Sequence, residues 1–372
     1  MKWFGAGAGR GLYQDTLDGL KEPAAILAAD RRILYANKAL MTVQGCDNGA
    51  GACRERGRRP CPGCLAEGMG EPVDAAAVQH RGRVYSRSVS PVGGHDARKY
   101  ALLWRDITAE AEAESLMKKQ YDKMRRDIFH ARSIQYSLLP KDLARAEGYL
   151  FRSLYKPSEE MSGDIFDIIR IGRDNIAFYI ADVAGHGVTA AMLTLFFSTA
   201  VRLEMHPTDM PGKVLSRIHN RFMELELEEH HYITAFLGRI ELSTGRLFWS
   251  NAGHICPPLL MDAKGSVTAL EMAGLPVSRW FREQEYATAT GEMEPGGRLV
   301  LFSDGLDARW QGSGGQGDLN EVVSRIMGEC DPDDCLDIIW KTVGAGAGES
   351  MNRDDTTLLL VNRLAGGDGG MV

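Results

Sequence analysis

Apolar residues along this chain fall into two rhythms. From Tyr149 onward, short runs rich in Val, Ile, Leu, Phe and Tyr recur between breaks of Gly, Asp and Ser, the pattern of half- or fully buried β-strands. They predict strands at Tyr149–Tyr155, Phe166–Ile171, Asn175–Asp182, Tyr232–Leu242, Arg246–Asn251, Leu259–Met261, Val267–Met272, Arg298–Ser303 and Thr356–Asn362. Longer segments of helical character predict helices at Val188–Met205, Pro211–Leu225, Leu319–Met327 and Asp333–Val343. Ser243–Gly245 and Asp262–Gly265 have hairpin-turn chemistry. Strands joined largely as meanders, with helices inserted, argue for α+β layers over a doubly wound parallel sheet.

The chain before this region reads differently. Leu17–Gly45 gives helix, strand, turn, strand, helix, with strands at Ala24–Leu27 and Ile33–Ala36, a turn at Asp30–Arg32, and Asn37 opening the second helix. Arg83–Ser90 and Lys99–Arg105 alternate like paired strands joined through Pro91–Asp96. Thr108–Leu139 then lacks Gly and Pro and is built from strong helix formers until Pro140 ends it. Within it Met117, Tyr121, Met124, Ile128 and Ala131 have the spacing of a coiled-coil seam, although the run covers only about two heptads. An amphipathic helix packed on its own domain fits the same spacing.

At 372 residues the expectation is two or three domains, and 44% hydrophobic with 25% charged residues is ordinary for a globular protein. The formal net charge of −7 argues against a nucleic-acid partner, since no basic stretch dominates. No run approaches the ~18 apolar residues of a membrane span, and the first residues lack an apolar signal core. The expectation is therefore a cytoplasmic protein without membrane or nucleic-acid partners. Seven cysteines in such a setting are reduced thiols or metal ligands. Cys46, Cys53, Cys61 and Cys64 crowd together, and Cys61-Pro-Gly-Cys64 has the spacing of zinc, iron–sulfur and redox pairs, so a further metal or redox centre is one reading and unligated thiols the other.

The most informative pattern is acidic. Asp182 ends a predicted strand and is followed by Gly185, His186 and Gly187; Asp304-Gly305 follows another strand; Asp354-Asp355 precedes a third; Asp164 and Asp167 stand just upstream of the first. One Asp beside glycines is an ordinary turn. Three acid clusters on the rims of apolar strands can converge at one end of a sheet, where carboxylates suit hard divalent cations. Cys256 has no such company and reads as a buried thiol.

Two resemblances follow from these residues. The Ala25–Asp30 strand, Tyr35-Ala-Asn37 and the closing Trp104-Arg-Asp-Ile-Thr108 resemble a PAS sensor domain over residues 14–108, which implies an antiparallel sheet with helices, used for sensing or dimerisation. Gly163-Asp164-x-x-Asp167, Asp182-Val-Ala-Gly-His-Gly187, Ser250-Asn-Ala-Gly-His254 with Pro257-Pro258, Ser303-Asp-Gly305 and Asp354-Asp-x-Thr-Leu358 resemble the metal-dependent Ser/Thr phosphatase (PPM) superfamily, in its bacterial SpoIIE branch. Ile134-Gln-Tyr-Ser-Leu-Leu-Pro140 matches the segment leading into such domains. The resemblance spans residues 132–363 and implies an α-β-β-α sandwich with two Mn²⁺ or Mg²⁺ ions at one edge. In that scheme Asp182 bridges both ions, Val183 offers its carbonyl, Asp304 and Asp354 complete the second site, and Asp164 lies beside the first. Asp167 and Asp355 would be outer partners that orient ligands, and Asn251 and His254 would brace a turn. His186 would be a candidate general acid, although it is out of register with the shorter Asp-Gly-His of eukaryotic relatives. Ser162 stands where the branch more often has Gly.

The expected organisation is a flexible N-terminus (1–13), a PAS domain with a Cys-rich insert (14–108), a coiled-coil-like helical linker (109–139), the phosphatase domain (140–364) and a flexible tail (365–372). The expected activity is hydrolysis of phosphoserine or phosphothreonine on a small signalling protein, of the anti-sigma-factor antagonist type in a partner-switching pathway, by a homodimer. The alternatives are an inactive phosphatase-fold binding module, a sensor centred on the cysteines, and hydrolysis of a small phosphoester.

Overall fold

The structure, a computed structural model, describes residues 15–29, 33–44, 76–92, 99–140, 145–158, 160–185, 187–345 and 354–366. The chain divides into two compact units, Met1–Lys123 and Met124–Val372.

The first unit holds strands β1 (Ala24–Ala28) and β2 (Ile33–Ala36), helix α1 (Lys38–Gln44), and strands β3 (Ala76–His80), β4 (Arg83–Pro91) and β5 (Lys99–Asp106). They form one antiparallel sheet in the order β2-β1-β5-β4-β3. Leu27, Ile33, Leu40, Tyr85, Leu102 and Trp104 make its core. Asn37 ties this core together. Its Oδ1 accepts from the Leu40 N–H, capping α1, and from the Ala24 N–H, both at 2.9 Å, while its Nδ2 donates to the Leu17 and Glu22 carbonyls. Asn37→Ala is expected to destabilise this unit by about 2–3 kcal/mol, the loss of a cap plus stranded buried backbone groups, read as a lower denaturation midpoint. Cys46, Cys53, Cys61 and Cys64 lie outside the described residues.

The Asp-Ile-Thr segment has a local physical cause. Asp106 accepts from the Thr108 N–H and hydroxyl and from Arg83, and the Thr108 hydroxyl accepts the Val84 N–H. The strand is thereby locked to the start of helix α2, Thr108–Leu138. Met117, Tyr121 and Met124 of the predicted seam are exposed, as are Leu116, Phe129 and Ile134. Among the described residues, no helix is long and apolar enough to cross a membrane.

The second unit continues with β6 (Arg145–Ala146), β7 (Tyr149–Lys156), β8 (Asp164–Arg170), β9 (Asn175–Val183), α3 (Val188–Glu204), α4 (Pro211–Met223), β10 (Tyr232–Glu241), β11 (Arg246–Ala252), β12 (Leu259–Met261), β13 (Val267–Ala269), β14 (Val277–Ser278), β15 (Ala289–Glu292), β16 (Arg298–Phe302), α5 (Gly305–Gly312), α6 (Leu319–Glu329), α7 (Cys335–Val343) and β17 (Thr356–Arg363). One sheet runs β15-β11-β10-β9-β8, with β14 pairing β10; the other runs β13-β12-β16-β17-β7-β6.

Period-two alternation assigns each strand face to a layer. On β9, Ala177, Tyr179, Ala181 and Val183 pack with Phe197 and Val201 of α3 and Val214, Ile218 and Phe222 of α4. The intervening Ile176, Phe178 and Ile180 pack between the sheets against Phe151, Leu299, Leu301, Leu359 and Val361 of the second sheet. The outer face of that sheet, with Val300, Phe302, Leu358 and Leu360, meets Val323, Leu336 and Ile339 of the last helices. The result is helix, sheet, sheet, helix, and residues 176–181 of β9 are fully buried because both faces are covered.

Four elements of this unit are not predicted, the two-residue β6 among them. β15 is a mostly exposed edge strand containing Gly291, β14 is two residues long, and α5 opens on Gly305 with no apolar stripe. The predicted Val267–Met272 strand ends at Ala269, with one further bond in the same register from the Leu270 N–H to the Pro258 carbonyl.

Candidate metal centre

The alternation that builds the sandwich also delivers its acids. Asp164 opens β8 and Asp182 lies near the end of β9, directly opposite in register, and both share the strand face turned toward the second sheet. Like charges in this relation repel. Asp304 follows β16 and opens α5, and Asp354 lies two residues before β17. Strands β16 and β17 are paired, so their acidic ends arrive at one edge together.

These carboxyls perturb one another. Burial first, then the Asp182 charge, holds the Asp164 carboxyl well above the usual range. Burial pushes Asp182 up to about 7, helped by Asp304, Asp354 and Asp355. Asp304 and Asp354 are raised by burial and by acidic neighbours. Among the described residues, no basic side chain acts on any of the four. Asp167 supplies the contrast. It sits on the opposite face of β8, wholly buried, and pairs with Arg202 of α3 at 2.6 Å. The expectation that Asp167 orients metal ligands is therefore corrected: the odd spacing from Asp164 turns it to the helix layer, where Arg202 balances its charge.

Asp355 holds the loop ahead of β8. Its Oδ2 accepts the Gly163 N–H and its Oδ1 accepts the Ser158 N–H and hydroxyl, all within 2.9 Å. A Cβ on Gly163 would stand 2.9 Å from the Val183 carbonyl oxygen and 3.4 Å from Asp182 Oδ1, so only glycine leaves this oxygen-lined cradle open. Asn251 Nδ2 donates to the His254 and Met272 carbonyls while its Oδ1 accepts the His254 N–H. His254 is neutral, burial lowering its pKa to about 4, and its Nε2 donates to the Phe302 carbonyl at 3.1 Å. The pair thus secures the strand that presents Asp304. Burial pushes the Cys256 thiol up to about 12, with the acid cluster adding to it, which leaves no thiolate at neutral pH. His186 lies outside the described residues.

Two residues of the quoted motifs carry a role that the sequence did not assign them. Ser303 and Thr357 each donate a hydroxyl hydrogen bond to Asp164 Oδ2 at 2.7 Å. Extending the period-two pattern from Leu299 and Leu301 to Ser303, and from Val361 and Leu359 back to Thr357, would have turned both inward.

Among the described residues no group of three or more His, Cys, Asp or Glu side chains is arranged to hold a metal ion. The acids share an edge without closing on one point. Their chemistry nevertheless fits a hard divalent cation. The donors are all oxygen, the Gly163 cradle is lined by carbonyls and a carboxylate, and Asp164 and Asp182, which meet no basic side chain among the described residues, call for a cation.

The profile of the family described as Stage II sporulation protein E (SpoIIE) matches residues 172–364, which includes Asp182, Asp304 and Asp354. Phosphoserine phosphatase RsbP of Bacillus subtilis is 28% identical over 186 residues, 49% of this chain and 45% of that protein. Protein IcfG of Synechocystis sp. is 26% identical over 270 residues, 64% of this chain and 42% of that one. The chain thus spans less than half the length of these relatives. Among solved structures, the SiaA-PP2C domain of Pseudomonas aeruginosa superposes with a TM-score of 0.55 at 20% identity, covering 65% of this chain and 98% of that one. The RsbU and RsbW domains of a Mycobacterium tuberculosis protein give 0.51 at 22% identity, covering 61% and 62%. Sandwich and motifs agree with the profile match: the chain has a PP2C-like fold and belongs to the SpoIIE family.

Proposed function

We propose that this chain is a metal-dependent protein serine/threonine phosphatase. The observation that carries the reading is a contrast between carboxylates. Asp167 has its arginine, whereas the buried Asp164, the half-buried Asp182 and Asp304 and the exposed Asp354 meet no basic side chain among the described residues. Buried charges persist when paired or when they coordinate metal. Two Mn²⁺ or Mg²⁺ ions, when bound, supply an activated water and neutralise the phosphoryl oxygens. Asp182 would serve both ions, with the Val183 carbonyl and Asp164 on one side and Asp304 and Asp354 on the other. The chain's own residues hold the edge ready: Asp355 fixes the loop before Asp164, and His254 fixes the strand before Asp304. With Cys256 held as a thiol, attack by water is favoured over a covalent cysteine route. Phosphoserine or phosphothreonine on a small regulatory protein, of the anti-sigma-factor antagonist type, is the substrate class this reading takes; the relative named phosphoserine phosphatase RsbP supports its phosphoserine part. The test is phosphate release from a phosphoserine peptide by the full chain. Turnover with Mn²⁺ that chelator abolishes is expected. Folded protein that binds Mn²⁺ but hydrolyses neither the peptide nor p-nitrophenyl phosphate would favour the inactive binding module.

We further infer that residues 14–108 are a PAS sensor acting through helix α2, and that the chain is a homodimer. The antiparallel order β2-β1-β5-β4-β3 and the exposed Met117, Tyr121 and Met124 support this. At the other end of α2, Gln135 is the one buried residue. It donates to the Ser162 carbonyl at 2.7 Å and accepts the Ser162 N–H, two residues before Asp164. Deleting residues 1–107 is expected to change both activity and oligomeric state. If neither moved in turnover and light-scattering measurements, the regulatory reading would be wrong.

A further inference from the structure

Asp164 is the most enclosed acid of the edge, and its partners come from elsewhere in the chain. It is 2% exposed and, among the described residues, accepts no bond from a cationic side chain. Its Oδ2 accepts the Ser303 hydroxyl, from the residue before Asp304, and the Thr357 hydroxyl, from the first turn of β17 after Asp354–Asp355, each at 2.7 Å. The two donors are themselves linked, since the Thr357 N–H donates to Ser303 Oγ at 3.0 Å. One carboxylate oxygen therefore joins three of the four acid-bearing segments: the start of β8, the end of β16 and the start of β17. Each hydroxyl has a single proton, and for both the short bond is to this oxygen, the Asp355 carbonyl lying farther from Ser303 Oγ at 3.3 Å. Among the described residues none donates to Oδ1, which leaves that oxygen as the one a cation can take.

We propose that Ser303 and Thr357 are positioning residues, a hydroxyl pair that fixes the Asp164 carboxylate by Oδ2 so that Oδ1 is presented to a divalent cation. This inference rests on the metal-dependent reading above and adds to it the residues that set the geometry of its most buried acid. Outer partners of this kind typically change metal affinity about 10–100-fold when removed, because a free carboxylate must be ordered at the moment of binding. Serine and threonine suit the task for a further reason. A neutral donor orients the carboxylate without cancelling the charge that attracts the ion, which a lysine or arginine would do, as Arg202 does for Asp167.

The test compares Mn²⁺ affinity of the full-length protein, by isothermal titration calorimetry, for wild type, Thr357→Val, Thr357→Ser and Ser303→Ala. Valine keeps the shape of threonine and removes the donor; serine restores it. Mn²⁺ binding weaker by about 10–100-fold in Thr357→Val, with Thr357→Ser close to wild type, is expected. Saturating Mn²⁺ should recover most of the Thr357→Val turnover, a rescue that general loosening of the strand would not give. Should Thr357→Val fail to fold, Ser303→Ala removes a donor without adding bulk and carries the same expectation. A folded Thr357→Val with wild-type affinity, or a Thr357→Ser as weak as valine, overturns the proposal while leaving the phosphatase reading intact. Wild-type protein that binds no Mn²⁺ overturns the metal reading first and this inference with it.

Discussion

Asp182→Ala should abolish Mn²⁺-dependent hydrolysis of p-nitrophenyl phosphate, with a fall of at least about a thousandfold, while leaving the protein folded. Phosphate monoesters hydrolyse very slowly unaided, and two-metal sites supply several kcal/mol of transition-state stabilisation, each ~1.4 kcal/mol being tenfold in rate. Asp182 is the acid on which both ions depend in the proposed arrangement, so its loss removes more than one ligand's worth. The same substitution should act in the opposite direction on metal-free stability. Asp182 faces Asp164 across the β8–β9 register with no basic partner, so removing it relieves repulsion. A variant with turnover unchanged would sink the two-metal reading. One that lost activity by unfolding would be recognised by a lower melting temperature in chelator, where a higher one is expected.

The second large effect is on the pH dependence of stability without metal. Asp164, Asp182, Asp304 and Asp354 all have folded pKa values raised, by burial first and then by neighbouring carboxylates. The unfolded reference for a carboxyl is about 4. Below that value both states are protonated and the raised groups cost nothing. As pH rises above it, the unfolded chain ionises freely while the folded one resists, so stability falls until the folded values are passed, at about 7 for Asp182. In chelator, the melting temperature is therefore expected to drop between about pH 4 and pH 7 beyond what surface titration gives. Mn²⁺ should reverse the drop, and its stabilising increment should be larger at pH 7.5 than at pH 5. Equal increments at both pH values would mean that these carboxylates do not meet the ion.

The sandwich was legible in the sequence to the extent that its strands are buried on two faces. Ile176–Ala181 could be read as a strand from composition alone, because both neighbours of the sheet demand apolar side chains. What escaped were elements held by context. β15 has one exposed face and a glycine, and α5 starts from a turn and buries only Gly305 and Leu306. Within the site, the motif acids were found because their residue type is chemically loud. Ser303 and Thr357 stand in the quoted motifs without a role because hydroxyls at strand ends are common, and only the register between sheets gives these two a carboxylate to meet. Asp167 was misplaced for the opposite reason: it is acidic and close in sequence, but three residues along a strand reverses the face.

The central claim is that the acidic edge is a two-ion site, and the count of ions bound tests it most directly. Full-length protein stripped with chelator would be equilibrated with Mn²⁺ by dialysis and the metal measured per chain, alongside Asp182→Ala. The account predicts two saturable Mn²⁺ ions per wild-type chain and fewer in the variant. No specific Mn²⁺ in the wild type, or the same count with Asp182 removed, would contradict it.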